Sequence, residues 1–492
     1  LPYYKEKEYK IYLNGKEVLS SNTNIFSLFD LTPGTEYVIT SDSLDGEHKF
    51  STKEESCAVN VHDFGAIGDG VHDDTQAIQS AINCLPKNGR LYFPKGIIAQ
   101  SGEAKKLGKV ANGTIGTTVV EGKPVMLPSI HKFAPDLTAA ELVAYAPTAG
   151  NPEFREIWKK ELIKKNPRLE GKAISTPVVV PGLTAGISYL SDLFLDENHS
   201  LIAAAPSWDN YVLIASARRN AEFVQFKMFK DGKFNIDGLE ETLKEEAKKG
   251  SVRVLLNFPQ NPSGYSPTRD EAQRLVSIMK NLAENGTKVM VWCDDAYFGL
   301  NYEDDIEPQS LFAYLCDLHE NVLAAKIDGP TKEDFAWGAR TGFITFGCKG
   351  MTEAQYDALV KKLMAAIRSS VSCASTPAQT LIRKGYETGK LDEEKKEFRK
   401  ILERRYALVR KFINEHTSSA IEPLPFNSGY FMSFDTKKIN AEELRVRLLN
   451  EKGIGTIQID SRTLRVAFSS LDENKIEVVY QAIYDMAEEM NK

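Results

Sequence analysis

From about residue 97 onward, short apolar runs suited to buried strands alternate with long amphipathic patterns suited to helices. Thr176-Pro-Val-Val-Val, Ser200-Leu-Ile-Ala-Ala-Ala, Val252-Arg-Val-Leu-Leu and Lys288-Val-Met-Val-Trp-Cys are the clearest of these runs. A strand that is apolar on successive residues needs cover on both faces, and helices between strands supply it. The pattern predicts an α/β fold on an open, mostly parallel sheet. Ligands bind such sheets at the carboxyl ends of the strands, and the motifs considered below follow these runs.

The first 96 residues do not share the pattern. Residues 1–55 read as β: Tyr9-Lys-Ile-Tyr-Leu alternates, Asn14-Gly15 signals a hairpin, and Glu36-Tyr-Val-Ile-Thr alternates again. Leu31-Thr-Pro-Gly-Thr-Glu-Tyr37 resembles the turn and tyrosine corner of fibronectin type III domains, with roughly half of such a sandwich present. Residues 56–96 differ again. Val59-Asn-Val-His-Asp-Phe-Gly-Ala-Ile-Gly-Asp-Gly leads into Asp73-Asp-Thr-Gln-Ala-Ile-Gln-Ser-Ala-Ile82. Asp73 or Asp74 can cap a helix with Ala77, Ile78, Ala81 and Ile82 on one face, and Gly89-Arg-Leu-Tyr-Phe-Pro94 reads as a strand. This run resembles the opening of the right-handed β-helix of polygalacturonases and pectate lyases. It stops before any coil that would carry catalytic aspartates, and a solenoid coil cannot bury its apolar face without neighbours. No pectin-cleaving activity is inferred.

A chain of 492 residues leads us to expect about two to four folding units. The expected division is 1–55, 56–96, a larger unit over 151–369, and a smaller one assembled from 97–150 and 370–492. A net charge of −7 argues against nucleic acid or an anionic membrane as partner. No apolar run approaches the roughly 18 residues of a membrane helix. Leu1-Pro-Tyr-Tyr-Lys lacks a signal core and an initiating Met, so it reads as a fragment or processed end. A cytoplasmic location is expected. The six cysteines show no C-x-x-C spacing and the seven histidines no ligand spacing, so reduced thiols and no metal site are expected.

The chemistry rests on the order of five motifs. They are Pro206-Ser-Trp-Asp-Asn-Tyr211, Asn257-Phe-Pro-Gln-Asn-Pro-Ser-Gly264, Asp294-Asp-Ala-Tyr297, Thr331-Lys332 with Gly338-Ala-Arg340, and Leu464-Arg-Val-Ala-Phe468. The series resembles the fold-type I, aspartate aminotransferase-related enzymes over nearly all of residues 100–492. The resemblance implies pyridoxal 5'-phosphate as cofactor, with Lys332 as the lysine that carries it in a Schiff base and later shuttles the α-proton. It implies that Asp294 keeps the pyridine nitrogen protonated, while Tyr297 and Asn261 serve the phenolate oxygen. Trp208 falls where the family stacks an aromatic ring on the pyridine face.

For the phosphate, the resemblance implies Arg340, eight residues after Lys332, as a bidentate partner. That spacing favours Lys332 over Lys326 and Lys349. The loop Gly182-Leu183-Thr184 opens a helix whose free N–H groups suit an anion, and Thr331 adds a hydroxyl. Two departures stand out: Gly329 occupies the position of a phosphate-binding Ser or Thr, and Leu183 replaces a smaller, polar residue. Tyr145 matches a tyrosine that reaches the neighbouring subunit's phosphate, so a homodimer is expected. Arg465 matches the arginine for the substrate α-carboxylate, and Gly116 lies in a segment that closes over substrate. Arg368 stands near the position from which aspartate-type enzymes reach the partner's side-chain carboxylate, with a surface or interface arginine the equal alternative.

The function expected is exchange of an amino group between an amino acid (aspartate, glutamate or aromatic) and a 2-oxo acid. Lyases, decarboxylases and cyclising synthases share the cofactor cradle. A carbohydrate-associated binding protein defined by residues 1–96 is the other alternative, and completeness favours the enzyme: its site residues are all present. The change of pattern near residues 95–100 reads as a chimera, natural or engineered, or as an artefact. It leaves the enzyme's amino-terminal arm short, which would weaken its dimer.

Overall fold

The computed structural model describes residues 8–21, 28, 31–32, 35–42, 44–52, 58–64, 74–85, 90–92 and 96–492. Two compact units divide the chain, Leu1–Ala99 and Gln100–Lys492. In the first, β1 (Tyr9–Leu13), β2 (Lys16–Ser21), β3 (Glu36–Ser41) and β4 (Leu44–Ser51) form an antiparallel sheet in the order β2-β1-β3-β4. Asn14 and Gly15 both take positive φ, 51° and 79°, as a two-residue hairpin turn with the right twist requires. The Tyr37 hydroxyl accepts a hydrogen bond from the Thr32 N–H at 2.8 Å, the bond expected of a tyrosine corner. Residues 33 and 34 of that corner lie outside the described residues.

Farther along, β5 (Ala58–Asn60) pairs in parallel with β6 (Arg90–Tyr92), with α1 (Thr75–Asn83) between them. Asp74 takes the N-cap position, whereas Asp73, the run 65–72, Gly89, Phe93 and Pro94 lie outside the described residues. Ala77, Ile78 and Ala81 pack with Val61, Phe64 and Leu85. Ile82 does not share that face: it is 44% exposed, because the small cluster covers fewer helix positions than the apolar pattern offers.

The second unit is built on seven strands: β7 (Val178–Val180), β8 (Ser200–Ala205), β9 (Glu222–Lys227), β10 (Ser251–Asn257), β11 (Lys288–Asp294), β12 (Val322–Asp328) and β13 (Gly342–Gly347). Their order is β7-β13-β12-β11-β10-β8-β9, with β13 running against the other six. Alternation along β11 explains its uninterrupted apolar run. Val289, Val291 and Cys293 enter one core, and Met290 and Trp292 enter the other. Helices α2 (Leu183–Phe194) and α5 (Glu353–Ser370) cover one face through Ile187, Leu190, Leu363 and Ile367. Helices α3 (Ile236–Ala247) and α4 (Arg269–Glu284) cover the other through Leu239, Leu243, Leu275 and Met279. The fold is therefore α/β, on a mixed but mostly parallel sheet.

A second, antiparallel sheet carries β14 (Glu422–Pro423), β15 (Phe431–Asp435), β16 (Ile457–Asp460) and β17 (Thr463–Ala467) in the order β14-β15-β17-β16. Helices α6 (Leu391–Glu415), α7 (Ala441–Lys452) and α8 (Glu473–Met490) close its core through Val409, Phe412, Leu444, Leu448, Val479 and Ile483. The extended segment at residues 111–113 is stitched to this sheet. The Gly113 N–H donates to the Gly455 carbonyl at 2.8 Å, and the Ala467 N–H donates to the Gly113 carbonyl at 2.7 Å.

A lysine lies inside the large sheet. Lys326, on β12, is fully buried and paired with Asp295 and Asp328. Ser310 donates to Asp295, and the Trp158 indole donates to Asp328 at 3.1 Å. Burial opposes the charge on Lys326, yet the two carboxylates hold its ammonium above the usual lysine range. Lys326→Met leaves two buried carboxylates without their cation and is expected to cost about 3–5 kcal/mol. Guanidinium denaturation measures this, and an unchanged midpoint would overturn the account.

Candidate active site

Parallel register brings the carboxyl ends of β10, β11 and β12 side by side: Asn257 stands opposite Asp294, and Asp294 opposite Ile327. Asn257 bridges two of the motifs. Its amide donates to the Asp294 main-chain carbonyl at 2.8 Å, and its side-chain oxygen accepts from the Asn261 N–H at 2.9 Å. The Asp294 carboxylate is 3% exposed, accepting the Tyr211 hydroxyl on Oδ2 and the Ala296 N–H on Oδ1 at 3.2 Å. Burial pushes this carboxyl above the usual range, while Tyr211 and the charge of Lys332 pull it back.

Lys332 follows Gly329 in a short helical turn, Pro330–Glu333. Its Nζ lies over the Tyr297 ring, 4.9 Å from the centroid, and the Tyr430 hydroxyl donates to its main-chain carbonyl at 3.3 Å. Burial pushes the amine down to about 8, with Asp294 opposing and Arg340 reinforcing the effect. Lys332 forms no ion pair among the described residues. Lys326 is the reverse case, doubly paired and held charged, and Lys349 is exposed beyond the end of β13. Tyr297 is buried beneath the amine, and its phenol is pushed up chiefly by that burial.

At the amino end of α2, Gly182 has φ +93°, and a Cβ built there would lie 2.7 Å from Arg340 Nη2. Arg340 thus packs its guanidinium on a backbone open only to glycine, and donates from Nη1 to the Trp337 carbonyl at 3.2 Å. Arg340 itself is exposed, in the left-handed conformation at φ 47°. Thr184 is half-buried in the first turn of α2, and buried Thr331 donates its hydroxyl to the Thr341 carbonyl at 3.1 Å.

The two sequence departures meet here. A Cβ at Gly329 would stand 2.8 Å from Gly342 Cα, 2.9 Å from the Thr341 carbonyl oxygen and 3.3 Å from Leu183 Cδ1. A serine does not fit at 329, and the Leu183 side chain occupies the adjoining space. Leu183 is 5% exposed, so its side chain packs in the core and only its backbone can serve an anion.

Arg465, on β17, enters the same region from the second sheet. Its Nη1 donates to Asn261 Oδ1 at 2.9 Å and its Nη2 to the Thr114 carbonyl at 3.0 Å, while its buried Nε has no hydrogen-bond partner among the described residues. Burial lowers its guanidinium to about 10, against the pull of Tyr297 and Asp209. The Phe431 ring lies 4.4 Å from the guanidinium carbon, and Gly116 lies against both Phe431 and the Tyr297 hydroxyl. Half-buried Trp208 meets Tyr211 edge-on at 5.4 Å. Tyr145, 90% exposed, and Arg368, at the end of α5, hydrogen-bond with none of these groups within the chain.

Sequence reasoning overlooked Tyr211, Tyr430 and Phe431. Tyr211 sits in a quoted motif three residues after Trp208, a spacing that puts both on one side of a helical turn. Phe431 begins a strand of the distant second sheet and Tyr430 immediately precedes it, where no local signal marks either.

Known proteins share the sequence pattern and the fold that hold these residues. The family model for "Aminotransferase class I and II" matches residues 117–483. The chain belongs to this family. As an aminotransferase it is 22% identical over 368 residues to an aspartate aminotransferase of Pyrococcus abyssi, covering 73% of this chain and 85% of that one. It is 28% identical over 262 residues to a probable aspartate/prephenate aminotransferase of Rhizobium leguminosarum, covering 51% and 60% respectively. The crystal structure of an aminotransferase from Anaerococcus prevotii superimposes with a TM-score of 0.71 at 23% identity, covering 81% of this chain and 97% of that one. A second model, "Rhamnogalacturonase A/epimerase, pectate lyase-like", matches residues 58–134. It runs past the contact boundary after Ala99 into the aminotransferase unit. No helix of the described residues is long and apolar enough to cross a membrane. Gly329→Ser, which restores the family's hydroxyl, is expected to destabilise the aminotransferase by about 1–3 kcal/mol through overpacking. Chemical denaturation tests this, and an unchanged or raised midpoint would contradict it.

Proposed function

We propose that this aminotransferase holds pyridoxal 5'-phosphate on Lys332 and exchanges an amino group between an α-amino acid and a 2-oxo acid. The observation that carries the proposal is the amine of Lys332. It lies half-buried over Tyr297 and within the field of Asp294, with its proton affinity lowered to about 8. The residues present fit the cofactor. Gly182 leaves the Arg340 guanidinium and the amino end of α2 open to a phosphate. Thr184 and Thr331 stand at the same place, whereas residue 329 adds no hydroxyl. Asp294 can face a ring nitrogen, and Tyr297 and Asn261 can face a phenolate oxygen, with Trp208 against the ring.

Bound pyridoxal phosphate supplies an aldehyde carbon for amines to bond and a protonated ring that accepts the electrons left when an α-proton departs. The remaining work belongs to the chain. Tyr211 holds the Asp294 carboxylate in position and favours its ionised form. Lys332, neutral at its Nζ above about pH 8, takes the α-proton and returns it. Arg465 grips the α-carboxylate, with Asn261 and the Thr114 carbonyl orienting its plane. Gly116 lets the amino-terminal segment lie close to Tyr297 and Phe431, which excludes water from the proton transfer. A homodimer belongs to this reading: Leu142, Val143 and Tyr145 are all exposed in one segment, a surface that a second copy would cover while Tyr145 reached its phosphate. Arg368 is assigned to the same subunit interface.

The test adds pyridoxal phosphate to the protein stripped of it and follows absorbance at the visible edge. The band is expected to form at a rate that rises with pH and levels off above about 8, since only the uncharged amine attacks. Borohydride should then fix the cofactor mass on the Lys332 peptide. A band of equal strength in Lys332→Ala, or labelling elsewhere, would sink the proposal. Separately, Tyr211→Phe removes a hydrogen bond that favours the Asp294 carboxylate, so that pKa rises. Losing a hydrogen bond to a charge costs about 1.5–3 kcal/mol, or roughly one to two pH units. The acid limb of the transamination rate should move to higher pH by that amount, and an unmoved limb would remove Tyr211 from this role.

A further inference from the structure

The turn that carries Lys332 continues into two acidic residues that neither the cofactor nor the substrate carboxylate employs. Glu333 pairs with Lys165, and Asp334 is fully buried. The Asp334 N–H donates to the Pro330 carbonyl at 3.0 Å, which closes the turn. Its carboxylate is held from two sides: Lys395 Nζ donates to Oδ1 at 2.9 Å, and the Tyr386 hydroxyl donates to Oδ2 at 2.7 Å. The next residue, Phe335, is buried at φ 51°, a conformation that a bulky residue keeps only where its surroundings impose it. Its ring meets Phe398 edge-on at 5.4 Å.

Lys395 and Phe398 both belong to α6, and that helix reaches both sheets. Its Leu391 and Leu402 lie in the core on one face of the large sheet. Its Val409 and Phe412 lie in the core of the second sheet with Leu464 and Val466, the neighbours of Arg465 on β17. One helix therefore anchors, toward its two ends, the lysine and the arginine that a single substrate has to meet. The amine stands over Tyr297 and the guanidinium against Phe431, and those two rings meet edge-on at 5.5 Å. Proton transfer tolerates little error in such placement. Resting on the function proposed above, we propose that Asp334 is a positioning residue: its pair with Lys395 fixes the Lys332 turn to α6 and so sets where the amine stands relative to Arg465.

The test reads the Lys332 amine directly, in the full-length protein stripped of cofactor. Trace labelling with acetic anhydride across a pH series, with the Lys332 peptide quantified by mass spectrometry, gives the pKa of that one amine. The groups that face it are Asp294, Arg340 and Tyr297, and burial lowers it most. Position and field predict opposite signs. Asp334→Asn removes an anion and leaves the Lys395 ammonium unpaired, and through the field alone both changes would lower the Lys332 pKa further. A turn released from α6 instead lets water reach the amine, so the pKa should rise toward the ordinary lysine value by about one unit. Asp334→Asn combined with Lys395→Met removes both charges, leaves no buried cation unpaired, and should show the same rise. Tyr386→Phe changes no charge and should give a smaller rise. With pyridoxal phosphate loaded, kcat in the double variant should fall about tenfold while KM changes little, since Arg465 still grips the carboxylate. A Lys332 pKa that is unmoved or lowered in these variants overturns the inference and leaves the proposed function standing. A wild-type amine that titrates as an ordinary lysine, with no Lys332-dependent band, removes the proposed function first and this inference with it.

Discussion

The site depends on a carboxylate kept in a place where carboxylates resist ionising. Asp294 is buried at the end of a central strand, and desolvation alone would leave it protonated over a wider pH range. Tyr211 and the nearby lysine oppose that tendency, and Asn257 fixes the backbone from which the carboxylate projects. Lys332 is affected in the complementary way: burial takes charge from it, and Asp294 returns part. Neither group has its ordinary proton affinity, and each is set partly by the other. A neutral residue at 294 would leave Lys332 in a site with burial and Arg340 both against its charge.

The neighbouring Lys326 shows how the same strand layer handles charge when no chemistry is required. Two carboxylates pair with it, and a serine hydroxyl and an indole in turn donate to those carboxylates. The contrast is with an unpaired lysine six positions later, whose ammonium the fold does not satisfy in the same way. Both lie on or just beyond β12, where two successive requirements of the fold meet.

Four of the seven strands in the large sheet were legible as apolar runs, and the motifs at their ends led to Asp294, Lys332 and Arg340. Three strands were not. Glu222–Lys227 is an edge strand with mixed polarity, Val322–Asp328 carries a buried lysine, and Gly342–Gly347 is interrupted by threonine and glycine. Each departs from a plain hydrophobic run because of its partners across the sheet, which a local reading does not contain. In the amino-terminal unit the Asn14-Gly15 hairpin and the Tyr37 corner were legible because single turns dictate them. The second sheet's contribution to the site, through Tyr430 and Phe431, came from tertiary packing alone. Roles carried over residue by residue from a resemblance gave no sign of Tyr211, whose importance lies in a bond across 83 residues.

Leu183 and Gly329 are far apart in sequence but fill one space. The two departures from the family pattern are therefore neighbours in space, although a side chain at 329 meets the backbone of Gly342 and Thr341 before it meets leucine. Exchanging glycine for a hydroxyl-bearing residue meets that backbone first and leucine second; shrinking leucine while glycine remains opens a void. A lineage moving between the two arrangements has a valley to cross, and the backbone at Gly342 and Thr341 would have to shift with it. Any recombination of this domain with a relative carrying the usual pair should therefore inherit 183, 329 and the strand edge at 341–342 as a single block.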